Sequence, residues 1–221
     1  NDSLIGMWNF DNVSAIGEGT SDNISVDVSG YGNNGTLSNM DVVGGNYTDG
    51  MFGKALSFNN TLDSVNISNF INPGETNFSL ALWAYTSSLH YEEMALFQQE
   101  DGSGTGRTWL GLSAEGDFYS YIGGDPGVHS LDLAQLDKWN FLVVTYNDGN
   151  VTLYENSVLK NSSARTAESC VGDFLIGKHK LSDRDFNGLI DEVRIWNRSL
   201  SQEEIQILYM SNLRKYDTDK W

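Results

Sequence analysis

Residues 138–163 read KWNFLVVTYNDGNVTLYENSVLKNSS, and this stretch decides the fold. Two apolar runs, 139–146 and 150–154, flank the tetrapeptide Asn147-Asp148-Gly149-Asn150. Asn, Asp and Gly tolerate the backbone angles a tight reversal needs, so the stretch reads as strand, turn, strand. A third run follows at 157–160. Working outward, the same period-two apolarity predicts strands at 4–10, 54–58, 64–67, 77–86, 93–98, 107–113, 116–122, 171–177 and 188–196. Turn clusters separate them, among them SGYGNNG at 29–35 and DGSGTG at 101–106. Many short strands with turns between them predict an all-β, two-sheet antiparallel sandwich.

One helix is expected. Ser201 and Glu204 fit a capping box, and Ile205, Leu208 and Tyr209 recur at helical spacing. The helix should span 201–210 and close one end of the sandwich. There is no internal repeat and no Pro-rich linker, so residues 1–221 read as a single domain. The absence of a leader pattern and the ends of the chain suggest a module excised from a longer protein.

Composition bounds the function. Thirteen Lys and Arg face thirty Asp and Glu, a net charge of −17. Such a chain repels a phosphate backbone and an anionic membrane surface, so nucleic-acid binding and direct membrane insertion are excluded. The acidity suits either cation binding or plain solubility. Cys170 is the single cysteine, so no internal disulfide forms, and it reads as a small buried hydrophobe. Eleven Asn-X-Ser/Thr sequons begin at Asn1, Asn12, Asn23, Asn34, Asn46, Asn59, Asn66, Asn77, Asn150, Asn161 and Asn197. That number predicts a secreted or cell-surface glycoprotein, although an Asn- and Ser-rich β-protein also generates sequons by composition.

Several stretches taken together resemble a known family. They are GMWNFD at 6–11, VSGYGNNGTLSNM at 28–40, GMFGKALSFNN at 50–60, FSLALWAYTSS at 78–88, residues 138–163, and FLIGKHKLSDRDFNGLIDEVRIWNRSLSQEEIQILY at 174–209. In that order they resemble the laminin-G-like, concanavalin A-like jelly-roll modules of microbial surface proteins. The resemblance implies two antiparallel sheets with the first strand beside the last, and often a structural calcium ion.

The residues themselves point to a cation. Read by its pleat, strand 188–196 puts Leu189, Asp191, Val193 and Ile195 on one face and Arg194 on the other. A carboxylate among aliphatic side chains needs a partner or an ion. Asp11 ends the neighbouring strand, and Asp27 and Asn33 flank a Gly-rich turn. Oxygen ligands without clustered His or Cys suit Ca²⁺ before Mg²⁺. The alternatives are that Asp191 accepts backbone N–H groups and that Asp27 is an Asx-turn residue.

A second expectation concerns recognition. Arg107 and Trp109 share a strand face, as do Asp117, Tyr119 and Tyr121. If their neighbours fill the core, Trp109, Tyr119 and Tyr121 face outward as a platform on which sugar rings stack. Tyr91, Asp125, His129 and Arg184 would join from loops. The same aromatics would also serve plain cross-strand packing. No paired-carboxylate strand pattern, G-x-S-x-G or H-E-x-x-H occurs, so catalysis is not expected. The sequence thus points to an extracellular, non-catalytic module that binds a glycan or glycoprotein, acts in adhesion, and contacts other domains of its own polypeptide. A structural spacer of a surface layer is the alternative, and a glycoside hydrolase the more distant one.

Overall fold

The computed structural model describes residues 3–18, 23–40, 46–59, 62–68, 70, 76–90, 92–100, 107–123, 126–166, 172–180 and 184–214, with side chains as far as residue 211. In chain order the strands are β1 (Leu4–Trp8), β2 (Ile24–Ser25), β3 (Gly35–Ser38), β4 (Tyr47–Asp49), β5 (Lys54–Asn59), β6 (Ser64–Ile67), β7 (Phe78–Tyr85) and β8 (Met94–Glu100). They continue with β9 (Arg107–Leu112), β10 (Asp117–Ile122), β11 (Val128–Leu133), β12 (Trp139–Asn147), β13 (Asn150–Glu155), β14 (Val158–Ala164), β15 (Phe174–Ile176) and β16 (Asn187–Trp196). One helix, α1 (Gln202–Arg214), follows. Tyr91, Asp125, Asn1 and Cys170, named above, lie outside the described residues. Among the described residues no helix is long and apolar enough to cross a membrane.

The strands form two antiparallel sheets. The first runs β14-β13-β12-β7-β16-β5-β4, with β1 also paired to β16, and the second runs β11-β10-β9-β8-β15-β6-β3-β2. The sandwich and its single C-terminal helix are as the sequence predicts. Between the sheets lies the main core, including Trp8, Phe58, Leu82, Phe97, Leu110, Phe118, Leu142 and Val193. Trp83 and Trp196 belong to a second cluster, with Trp139 half-buried beside it. β2, β3 and β4 escaped the periodicity because each carries a single large apolar residue, Ile24, Leu37 and Tyr47, so no apolar alternation can be read in them. β11 escaped because Leu131, Asp132 and Leu133 are all exposed, with Leu131 at φ +67°.

The helix departs from expectation in its place. Its cap is the predicted box: the Ser201 hydroxyl accepts from the Glu204 amide at 3.3 Å, and the Glu204 carboxylate accepts from the Ser201 amide at 2.9 Å. But α1 covers the outer face of the first sheet instead of an end. Ile205 is buried with Phe52, Ala81, Trp83, Phe141 and Trp196, and Tyr209 stacks on Trp83 at 5.6 Å. That face is apolar too, so it needs a cover, and the helix stripe supplies one.

A second correction concerns β16. Its pairing with β7 shifts register between Asp191 and Arg194, and Glu192 has φ +54°. This bulge resets the alternation. Ile190, Val193 and Ile195 enter the main core, while Asp191 and Arg194 pair with Trp83 and Ala81 of the helix-covered cluster. Asp191 therefore does not share the face of Val193 and Ile195. It is buried among Trp83 and its neighbours on the other side of the sheet, the side Arg194 also takes. Arg194 is nonetheless engaged elsewhere, in an ion pair with Glu192.

Candidate functional site

The second sheet turns an aromatic face away from the core. Because Leu110, Leu112, Phe118 and Ile122 fill the core, period two aims Arg107, Trp109, Tyr119 and Tyr121 outward. Tyr121 lies directly across from Trp109, and Gln98 of β8 lies on its other side. Trp109 stacks on Tyr121 at 5.5 Å and meets Tyr119 edge-on at 4.9 Å. The Arg107 guanidinium sits 4.6 Å above the Tyr121 ring.

These rings are not the open platform that the sequence suggests. Trp109 is 2% exposed and Tyr119 1%, while Tyr121 remains partly exposed. Side chains from neighbouring segments lean over them. His179 meets Trp109 at 5.6 Å, and His129 stacks on Tyr119 at 5.1 Å. Burial leaves polar atoms inside: the Trp109 indole N–H has no hydrogen-bond partner, and the Tyr119 hydroxyl makes no well-aligned bond. Burial, then the negative charge of Glu93 beside it, pushes the Tyr119 phenol well above its usual range.

The rim is polar. The Gln98 side chain donates to the Glu100 carboxylate, and its carbonyl accepts from the Lys180 amide at 2.8 Å. Arg184 pairs with Glu93 at 2.5 Å, and Asp117 binds the His129 ring at 2.9 Å and the Ser113 hydroxyl. Burial, then the charge of Arg184, lowers the His179 imidazole, favouring its neutral form. The structure thus brings together Trp109, Tyr119, Tyr121, His129 and Arg184 from the predicted set. Gln98, Glu100, Glu93 and His179 were missed. Plain alternation would put Gln98 and Glu100 on the core face with Met94 and Leu96; the register of β8 shifts between Ala95 and Phe97, so Leu96 and Phe97 both enter the core and Gln98 faces out. His179 comes from a loop with no periodic signal.

The second candidate is a carboxylate pair. Asp191 is fully buried; its Oδ2 accepts from the Phe52 amide at 2.9 Å, and its Oδ1 is buried without a partner. Burial, opposed by the Phe52 amide and reinforced by the charges of Glu192 and Asp11, pushes its carboxyl up to about 8. Asp11 accepts from the Lys54 amide at 3.1 Å. Both carboxylates press against the turn 50–53: a Cβ on Gly53, at φ +54°, would fall 2.0 Å from Asp11 Oδ1, and one on Gly50 2.8 Å from Asp191 Oδ2. Only glycine permits so close an approach.

Asp27 and Asn33 are committed elsewhere. The Asp27 carboxylate takes three backbone amides, those of Met7, Ser29 and Asn33, each at 2.9 Å. The Asn33 side chain donates to the Ile5 carbonyl at 2.7 Å. This is the Asx-turn alternative, and it leaves those two residues locking the 27–33 turn onto β1. Among the described residues no three His, Cys, Asp or Glu side chains gather as a metal cluster. An orphaned, buried carboxylate oxygen beside a second carboxylate is, by its chemistry, compatible with a hard cation.

A family model for the concanavalin A-like lectin/glucanases superfamily matches residues 58–206. The chain belongs to that superfamily. No curated protein matches the sequence. Among solved structures, this superfamily member is similar to a Trypanosoma rangeli sialidase in complex with a difluoro-KDN, at 17% identity and TM-score 0.74, covering 97% of this chain and 33% of that one. It is similar to domain 4 of AbnA, a GH43 extracellular arabinanase from Geobacillus stearothermophilus, in complex with arabinotriose, at 23% identity and TM-score 0.69, covering 94% and 98%. It is also similar to the botulinum neurotoxin serotype D binding domain, at 20% identity and TM-score 0.72, covering 95% and 52%. The chain thus spans about a third of the sialidase and nearly all of the arabinanase domain. At these identities the likeness establishes the shared jelly-roll sandwich.

Proposed function

We propose that this domain binds carbohydrate through the outer face of β8, β9 and β10. The observation that carries the reading is Trp109: an indole turned away from the core, bracketed by Tyr119, Tyr121 and His179, with a buried N–H that has no partner. Sugars offer both an apolar ring face for stacking and hydroxyls that accept such a donor. Superfamily membership and neighbours solved with arabinotriose or a sialic-acid analogue support it.

The reading is of a recognition module and not a hydrolase. The carboxylates around the face are each held in intramolecular contacts, Glu93 with Arg184, Glu100 with Gln98, and Asp117 with Ser113 and His129. A glycosidase needs two carboxyl groups free to face a scissile bond. The eleven sequons support a place outside the cell, at its surface or secreted, as part of a larger glycoprotein. Asp191 and Asp11 would hold one Ca²⁺, whose charge would compensate the buried carboxylates and lock the turn 50–53 onto β16.

The test is a glycan array on the purified domain and on Trp109→Ala, each with Ca²⁺ and with chelator. Wild type should retain a defined set of glycans that the variant loses. An empty array for wild type, or an unchanged pattern for Trp109→Ala, overturns the reading.

A further inference from the structure

Asn66 opens the sequon Asn66-Ile67-Ser68. It stands in β6 between Val65 and Ile67, both in the main core, so its side chain points out from the second sheet. The register places it in one continuous cross-strand row. Asn66 lies across from Leu175, Leu175 from Gln98, Gln98 from Trp109, and Trp109 from Tyr121. At the usual interstrand spacing Asn66 is about 14 Å from Trp109. Half-buried Leu175, without a large ring, lies on the way. The Asn66 Oδ1 is buried, whereas Nδ2, the atom that carries an N-linked glycan, reaches the exposed carboxylate of Asp173 at 3.1 Å.

We propose that Asn66 is an N-glycosylation site whose glycan runs along this row and occupies the aromatic face of its own domain. Modification would then regulate what the face can take from outside. This rests on the reading of that face as a carbohydrate site. Asn161, on β14 of the first sheet, approaches the face from its opposite edge, and there its Nδ2 is engaged in donating to the His129 carbonyl at 2.9 Å. A ligand on a short flexible tether meets its site at roughly millimolar effective concentration, so an external sugar must compete with it.

The experiment compares wild type with Ser68→Ala, which removes the sequon and leaves the Asn66 side chain in place, both made in an N-glycosylating host. Glycopeptide mass spectrometry reads occupancy. The binding probe is the free oligosaccharide released enzymatically from the wild-type glycoprotein. Ser68→Ala should bind it, and occupied wild type should bind it roughly ten-fold more weakly, in line with tethered competition. An unmodified Asn66, equal affinities, or no binding of the released oligosaccharide by Ser68→Ala would each overturn the proposal. If Ser68→Ala still captures other glycans through Trp109, the carbohydrate reading of the face survives that failure; if it captures none, both fall.

Discussion

The amide of Phe52 donates to Oδ2 of Asp191 at 2.9 Å, tying together parts of the chain 139 residues apart. It holds a carboxylate that is sealed from water. In the unfolded chain that carboxyl ionises near pH 4, whereas in the fold burial pushes it up to about 8. The fold therefore keeps a proton that the unfolded chain gives up. Without a cation, the contribution of Asp191 is most favourable below about pH 4 and is lost as pH rises to about 8, by at most about 1.4 kcal/mol per unit. In chelator, the melting temperature of wild type minus that of Asp191→Asn should fall across this window. The Asn keeps an acceptor for Phe52 and removes the titration. A difference that stays flat with pH would refute this.

Calcium should reverse that loss. At pH 8, Ca²⁺ at a hundredfold excess over its Kd should stabilise wild type by about 2.7 kcal/mol. Asp191→Asn and Asp11→Asn should lose most of the response, and the double variant should lose little more, because both report one interaction. Thermal melts with added Ca²⁺ after exhaustive chelation check this.

Gly53→Ala probes the same place through the backbone. At φ +54° any side chain is strained, and this Cβ would strike Asp11. Gly30, at φ +95°, has open space around it. Gly30→Ala should cost about 1 kcal/mol, and Gly53→Ala clearly more, with a weakened Ca²⁺ response besides. Equal losses in denaturant melts would show that the contact with Asp11 is immaterial.

Trp109→Phe separates ring from donor. It keeps an apolar ring against Tyr119 and Tyr121 but leaves a small cavity, so stability should fall by about 1–2 kcal/mol. Losing the indole N–H should weaken glycan binding by about ten-fold, the worth of one hydrogen bond. Isothermal titration with a glycan selected by the array reads the second effect, and thermal melts the first.

The helix cap offers a test independent of function. Ser201→Ala removes the acceptor of the Glu204 amide and should cost about 1 kcal/mol. In a domain of this size that is about 2–4 °C in Tm. Glu204→Ala should cost more, since it also releases Arg198, which donates twice to that carboxylate.

What the sequence conceals here has definite causes. The sandwich, the capping box and the outward aim of Trp109 and Tyr121 follow from local periodicity and were legible. The burial of Trp109 was not, because His179 and His129 arrive from segments with no pattern to read. The face of Asp191 was misjudged because alternation fails at a bulge, and nothing in Ile190-Asp191-Glu192-Val193 announces one. Asp27 and Asn33 looked like cation ligands by residue type. Asp27 instead accepts three backbone amides and the Asn33 side chain donates to the Ile5 carbonyl, an arrangement set by the shape of the turn and not by its composition.

The pairing of β1 with β16 has a mechanical side. Leu4 sits beside Trp196, and the Asn197 amide donates to the Ser3 carbonyl at 2.9 Å. Chain thus enters and leaves this sheet at one shared corner. Tension applied through Ser3 and Asn197 would load the rungs one after another, as a zipper is drawn, and not all together in shear. The Ser3–Arg198 contact at 3.0 Å stands at that corner as the slider's stop. Under such a pull β1 would peel away first, while the aromatic face on the opposite sheet kept its shape.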